Sequence, residues 1–412
     1  VAGAPLLSEL MPWSVPGLRL GREWVRSAHP EVLAARWRRL TEASPGQRAL
    51  LFGPSRSRTV HSAVAQLPGR TAATSRLARD PGPAPEPVLI RHGAFDRLWL
   101  LADQRLLDRA RPELWRVADR AQLFATVQPW TPTAPGPAVT FSAELPDGHR
   151  TRGVGRIHPL YRQPGGQDPN LAPGLTEALA GVLGLPVTPP DVLAWIAAVT
   201  AHPAAARDGE EVPVPLPSTP EQWTAGLALG RRVLWLHSFG ARCADPAGDR
   251  PPGPPKMPSG RRPFVRERVS GFPDTLGHEP DGEALLLGAD GRIAPVPASV
   301  TRYPAGGGPV LEQWLADRSP SADARPGSLE SLGLATWPQQ FTADLIQLAT
   351  VLALLAELHP AQSALAAPDA GRWLSGAELA EAGVLPVPPQ SRRPASVLQH
   401  QEEGPEGQFA LL

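Results

Sequence analysis

Apolar residues recur with helical spacing from Glu31 to Leu40 (EVLAARWRRL), where Val32, Leu33, Trp37 and Leu40 fall on one side, so a short helix is predicted there. A second helix, GLTEALAGVLG, stops at Gly184. A third is opened by Thr188-Pro189-Pro190-Asp191, which places an N-cap and an early proline ahead of VLAWIAAVTAHP. Thr219-Pro220-Glu221-Gln222 repeats that opening before EQWTAGLALGRRVLWLH, whose Trp223, Leu227 and Leu234 give it one buried face. VLEQWLADR runs to Arg318. TADLIQLATVLALLAELH, Thr342 to His359, is apolar on most faces and reads as a buried helix, and a last short helix from Ser375 to Ala382 is stopped by Gly383.

Strand texture begins at Val88 with short apolar runs separated by turn residues: VLI, LWLL, QLFATVQPW and AVTFSAELPDGHR. Val139, Phe141 and Ala143 alternate with Thr140 and Ser142, and Pro146-Asp147-Gly148 supplies a turn, which predicts a hairpin or part of a meander. EALLLGADGRIAPVP predicts another hairpin, turning at Asp290-Gly291. The fold class is therefore mixed α/β (α+β): a mixed sheet with hairpins, several packed helices and Pro/Gly-rich loops.

PGPAPEP, Pro81 to Pro87, has linker composition, and a second linker follows Arg318. They predict a basic N-terminal connecting segment over 1–87, partly helical and partly disordered, then a mixed α/β domain over 88–318. A helical part over 319–395 and a disordered tail over 396–412 complete the chain. The 52 prolines and 39 glycines favour many turns over long helices. Net charge is zero, yet Arg19 to Arg79 holds twelve arginines against three glutamates, a local balance of +9 that suggests a polyanionic partner. Lys256 is the sole lysine, a bias that a G+C-rich coding sequence also produces. A single cysteine, Cys243, excludes intramolecular disulfides and multi-cysteine zinc sites, which fits a reducing cytoplasm. No run of 18 apolar residues and no leader pattern is present, so no membrane partner is expected.

Candidate chemistry centres on Arg91 to Trp115, RHGAFDRLWLLADQRLLDRARPELW. Its arginines beside Trp99, Leu100 and Leu101 would present guanidinium groups from an apolar base, as a phosphate-gripping surface requires. The competing reading is a turn whose arginines are merely solvated. Glycine loops for nucleotide phosphates, HExxH, CxxC and GxSxG are all missing, and His237 has no partner at metal spacing. Independent catalysis is not expected.

Four blocks in order resemble the C-terminal specificity region of type ISP restriction-modification enzymes. RHGAFDRLWLLADQRLLDRARPELW is similar to the family's FD-R block, and PNLAPGL with TPPDVLAWIAAVTAHP to its helical block. TAGLALGRRVLWLH resembles the LG-L-LH helix, and YPAGGGPVLEQWLADR the Y-GG-W-DR block. PWSVPGLRLGREWVRSAHPEVLAARWRRL is similar to the stretch joining the methyltransferase core to the specificity part. The methyltransferase, helicase and nuclease motifs themselves are absent. The resemblance implies a target-recognition protein that reads double-stranded DNA without chemistry of its own. It needs no cofactor, S-adenosylmethionine entering only if a methyltransferase partner supplies the site. The alternatives are the specificity part of a split adenine methyltransferase, completed by a separate methyltransferase or nuclease chain, and a protein-interaction scaffold or degenerate remnant.

Under this reading Arg91, Arg97, Arg105, Arg109 and Arg111 are the DNA contacts, Arg36, Arg38 and Arg39 suit diffuse phosphate contact, and Arg318 is a further candidate. Asp96 is expected to orient Arg97 by a fork-like pair. Phe95, Tyr303, Gly306, Gly307 and Trp314 are structural support, with Tyr303 and Trp314 in the core rather than stacking on bases.

Overall fold

The computed structural model describes residues 3–70, 75–129, 136–148, 155–207, 209, 211–243, 253–280, 282–320 and 324–394, and the backbone of 401–403 and 409–411. The chain runs α1 (Leu7–Leu10), β1 (Val15–Pro16), β2 (Arg26–Ser27), α2 (Pro30–Glu42), α3 (Pro45–Phe52), β3 (Pro87–His92), β4 (Asp96–Leu101), α4 (Pro112–Val117), β5 (Phe124–Val127), β6 (Val139–Ser142) and β7 (Arg156–Pro159). Then come β8 (Tyr161–Gln163), β9 (Gln167–Pro169), α5 (Leu175–Leu183), α6 (Pro189–Thr200), β10 (Leu216–Pro217), α7 (Pro220–His237), β11 (Phe264–Glu267), β12 (Leu276–His278), β13 (Leu285–Leu287) and β14 (Gly291–Ala294). The last elements are α8 (Ala298–Thr301), β15 (Pro304–Ala305), β16 (Gly308–Pro309), α9 (Val310–Ala316), α10 (Gln339–Leu365), β17 (Trp373–Leu374) and α11 (Gly376–Glu381). In the tail expected to be disordered, Gln401–Glu403 pairs with Phe409–Leu411, and the rest lies outside the described residues.

The helices sit where local signals put them. Asp191 reaches back to the Thr188 N–H at 3.0 Å, Thr219 accepts from Gln222 N, and Ser375 and Glu378 cap each other's backbone at the start of α11. Gly184 ends α5 in the left-handed region at φ 66°. Helices α6 and α7 pack so closely that a Cβ on Gly230 would stand 1.7 Å from the Ala194 carbonyl oxygen, so only glycine fits there. Trp195 and Trp223 stack across the same interface at 5.5 Å. Helix α10 is long and apolar enough to cross a membrane by length and composition, but 56% of that apolar window is buried inside the protein. It lies against α6, α7 and α8.

The fold is mixed α/β, with its strands divided among small sheets, and the strand ladders among the described residues are antiparallel. Three matter for position: β2-β4-β3, β1-β7-β5-β6 and β11-β14-β13-β12. The hairpin predicted near Asp290 forms between β13 and β14. The turn Pro146-Asp147-Gly148 does not return β6 on itself; β6 pairs backward with β5, and Asp147 is drawn inside.

The expected boundary at Pro87 is corrected, because it is not a seam in the packing. Strand β2 is zipped onto β4 (Arg26 opposite Leu100) and β1 onto β7. Trp13, Trp24, Leu33, Trp37, Phe52 and Val60 form one core with Ile90, Leu100, Leu106, Leu114 and Trp115. Within the N-terminal segment expected to be partly disordered, Arg58, Val60, Leu67 and Leu77 are buried, and 71–74 lie outside the described residues. The boundary after Arg318 fails likewise: Leu329 belongs to this core and α10 to the larger one. Composition marks proline-rich covalent connections, but long-range burial decides what folds together. A fragment beginning at Val88 would expose half of that core, and it is expected to melt without a cooperative transition by calorimetry; a sharp transition at the full chain's midpoint would restore the boundary.

Candidate nucleic-acid interface

The FD-R turn lies at the tight end of the β3–β4 hairpin, with His92 opposite Asp96. Both Asp96 oxygens accept from Arg318, Oδ2 from Nη1 and Oδ1 from Nη2, each at 2.9 Å. Arg318 follows α9, folds back over the Trp314 ring at 3.8 Å and donates to the Trp314 carbonyl. The expected Asp96–Arg97 side-chain fork is therefore corrected. Successive side chains of a strand point to opposite faces, so Asp96 meets Arg97 only through its backbone N–H, at 2.7 Å. The candidate contact Arg318 fills the fork instead, buried and spent on the interior.

Beside this pair, the buried His92 ring hydrogen-bonds Asp147 through Nδ1 and lies 3.3 Å from Asp317 through Nε2. Burial alone would lower its pKa, but the charge and hydrogen bond of Asp147, with Asp317 adding to them, raise it to about 9. Arg26 Nη1, 2.6 and 2.8 Å from the two ring nitrogens, pulls the other way and is itself held by Glu23. The adjacent residues Asp317 and Arg318 thus clasp both sides of the β3–β4 turn. A cleft of about 840 Å³ opens beside them, lined by Arg26, Arg36 and Arg325 but also by Glu23, Asp317 and Glu330, so its charge is mixed rather than basic.

Most arginines expected to face DNA point inward. Arg91 is buried, donating to Glu144 at 2.7 Å and to the His237 carbonyl at 3.0 Å. Arg97, opposite it on β4, lies 4.2 Å over the Phe239 ring and donates to Gln347; burial and the Arg91 charge hold its pKa below the ordinary value. Arg105 is buried in a fork with Asp103 and donates to the carbonyls of Ser75 and Pro81. Arg36 donates to the carbonyls of Trp24, Arg26 and Leu332, and burial lowers its pKa to about 10. Arg109 is half-buried with its backbone bridged to Arg19, and Arg111 is half-buried at φ 56° before α4. Only Arg38 and Arg39 of the predicted set are exposed.

Of the support residues, Phe95, Tyr303 and Trp314 are buried, Gly306 is half-buried and Gly307 is exposed. Phe95 meets Tyr303 edge-on at 5.8 Å, the Tyr303 hydroxyl lies 3.0 Å from His359 Nε2, and Trp314 packs on Trp337. Gly306 and Gly307, at φ 64° and 90°, form the two-residue turn between β15 and β16. His237 is a core residue: buried between Phe95 and Phe141, it accepts from Phe141 N–H, and burial lowers its pKa to about 3.

Of the twelve arginines in the +9 segment, Arg22, Arg26, Arg36, Arg48 and Arg58 bond to backbone carbonyls or to carboxylates of the protein, so the basic excess presented to solvent is smaller. Arg19, Arg38, Arg39, Arg56, Arg76 and Arg79 remain exposed. A further exposed element is β11, where Phe264, Val265, Arg266 and Glu267 all face solvent, flanked by Arg261, Arg262 and Arg268. Four residues are too few for a period to mark it; the available signal is the Arg-Glu-Arg triplet following Phe264 and Val265. Among the described residues no group of three or more His, Cys, Asp or Glu could hold a metal ion.

Two outcomes follow from the clasp. Asp96→Ala and Arg318→Ala are each expected to cost about 3–5 kcal/mol in urea unfolding, since each strands a buried charge, and the double variant little more than either; additive losses would mean the pair is not coupled. His92, with a folded pKa of about 9 above its ordinary 6.5, contributes stability in full below pH 6.5 and loses it as pH rises through 9. The loss is roughly 3 kcal/mol at most. His92→Gln should flatten that decline, and parallel decline of both proteins would assign it to another group.

A search of curated proteins returns no match. Solved structures with the same fold include the DrdV–DNA complex seen by cryoEM, with TM-score 0.57 and 15% identity over 88% of this chain and 36% of that one. A nuclease-deletion mutant of the Type ISP restriction-modification enzyme LlaGI with a DNA substrate mimic gives 0.51 and 13%, covering 85% of this chain and 28% of that one. The ATP-dependent Type ISP restriction-modification enzyme LlaBIII bound to DNA gives 0.54 and 14%, covering 85% and 23%. The chain thus spans little more than a third of those proteins at most. The family profile of the Type ISP C-terminal specificity domain matches residues 9–348, and the chain belongs to that family.

Proposed function

We propose that this chain is the target-reading part of a type ISP restriction-modification system, binding double-stranded DNA in the cytoplasm while chemistry is performed elsewhere. The observation that carries the reading is the specificity-domain match across residues 9–348. The DNA-bound state of the structures with the same fold supports it. Affinity would come from exposed guanidinium groups, Arg38 and Arg39 on α2 among them, that displace counterions from phosphates. Specificity would come from a few side chains held in fixed geometry against base edges. S-adenosylmethionine has no role unless a methyltransferase, in the same or a separate chain, supplies its site, and that partner remains part of the proposal.

Selection of bound duplexes from a random pool by the purified chain is expected to enrich one sequence. Binding should weaken steeply with salt, and Arg38→Ala with Arg39→Ala should weaken all duplexes alike and reduce the log–log salt slope by roughly 0.9 for each phosphate no longer neutralised. Binding that is independent of salt, with no enriched sequence, would favour a protein-interaction scaffold.

A further inference from the structure

The interior location of the FD-R arginines leaves open which surface meets the duplex. Strand β11 is one of the two outer strands of its four-stranded sheet, and every residue of it is exposed. Two of them are large and apolar, Phe264 at 47% and Val265 at 37% exposure. An exposed edge with such residues invites pairing with other chains unless charge or a bulge blocks it, and β11 has both. Between Lys256 and Arg268 stand Arg261, Arg262 and Arg266, five cations in all against Glu267 alone. The register against β14 shifts between Val265 and Glu267, a bulge that re-aims the side chains beyond it.

Partnering separates these cations from the interior ones. Arg261 pairs with Glu357 and Arg262 bonds the Met257 carbonyl, but Arg266 and Arg268 have no carboxylate or carbonyl partner among the described residues. Arg266 is nevertheless fixed in place, its guanidinium 3.8 Å over the Phe264 ring, so the two share one face. The strand is paired along one side, Val265 lying opposite Ile293, a residue of the larger core. A guanidinium held on an aromatic ring, on a strand paired into a sheet, with its donors available is what a reader of groove edges requires.

We infer that β11 and the arginine after it form a DNA-contacting strand that lies along a groove of the duplex, with Arg266 and Phe264 toward base edges and Arg268 on phosphate. The inference rests on the DNA-reading function proposed above and names its surface. A strand is narrow enough to enter the major groove, and the charge excess selects a polyanion over a second protein strand.

The test uses the full chain with the duplex enriched by selection and a random-sequence duplex of equal length. Arg266→Ala with Arg268→Ala should lower affinity for the enriched duplex by about tenfold or more and reduce the salt slope by roughly 0.9 for every phosphate left unneutralised. Phe264→Ala should weaken the enriched duplex more than the random one. Both variants should melt as the parent does, since every altered side chain is exposed. A parent that binds no duplex overturns the proposed function. A parent that binds while both variants bind equally well overturns only this inference, as would a self-associating parent made monomeric by Val265→Pro with DNA affinity unchanged.

Discussion

The doubly hydrogen-bonded pair of Asp96 and Arg318 joins residues 222 positions apart and fixes where the β3–β4 hairpin meets α9. A buried ion pair is a weak source of net stability against an apolar replacement, but leaving one member unpaired is costly. Its effect is therefore to specify a geometry. With Asp317 taken by His92 and Arg318 by Asp96, the hairpin cannot slide along the helix without stranding a charge. Trp314 packs under the Arg318 guanidinium, and Tyr303 packs edge-on against Phe95 of the hairpin turn.

A second constraint explains why so many arginines turn inward. Each of the 52 prolines brings a backbone carbonyl and no N–H, so the chain carries a large surplus of acceptors. Short strands and irregular loops cannot absorb them. Arginine offers five donors and no acceptor, which is the complementary imbalance. Arg48 serves the carbonyls of Leu40, Thr41, Ala43 and Leu77, Arg207 those of Gln128 and Pro137, and Arg105 those of Ser75 and Pro81. Lysine, a compact and strongly hydrated charge, would fit these planar, multi-carbonyl positions poorly. The arginine content is thus a consequence of the backbone as well as of any partner.

This sets the limit on what could be seen in the sequence. Helix starts at Thr188, Thr219 and Ser375 were legible because a cap and its acceptor lie within three residues of each other. The order of four motif blocks was legible as a family pattern, and residues 9–348 match that family. The direction of Arg91, Arg105 and Arg318 was not, because their acceptors lie on other segments or depend on burial that only the assembled fold creates. Asp96 was assigned to Arg97 by adjacency, whereas a strand turns adjacent side chains apart. The seam expected at Pro87 failed for the same reason: Trp24 and Trp37 find their neighbours beyond it.

The four blocks that carry the family pattern do not overlap the segment whose Arg266 and Arg268 have no carboxylate or carbonyl partner among the described residues: β11 lies between the block ending at His237 and the one beginning at Tyr303. The blocks supply buried ties, where one substitution strands a charge or opens a core. Strand β11, paired to β14, supplies exposed side chains, where substitution leaves the frame intact. A protein that must hold one shape yet read a particular sequence is served by that division. Constraint on the frame comes from burial and pairing, while the contact surface is free to be set by the partner it meets. Arg266 on the Phe264 ring joins the two requirements at one point, a side chain ordered by the protein whose donors remain available to another molecule.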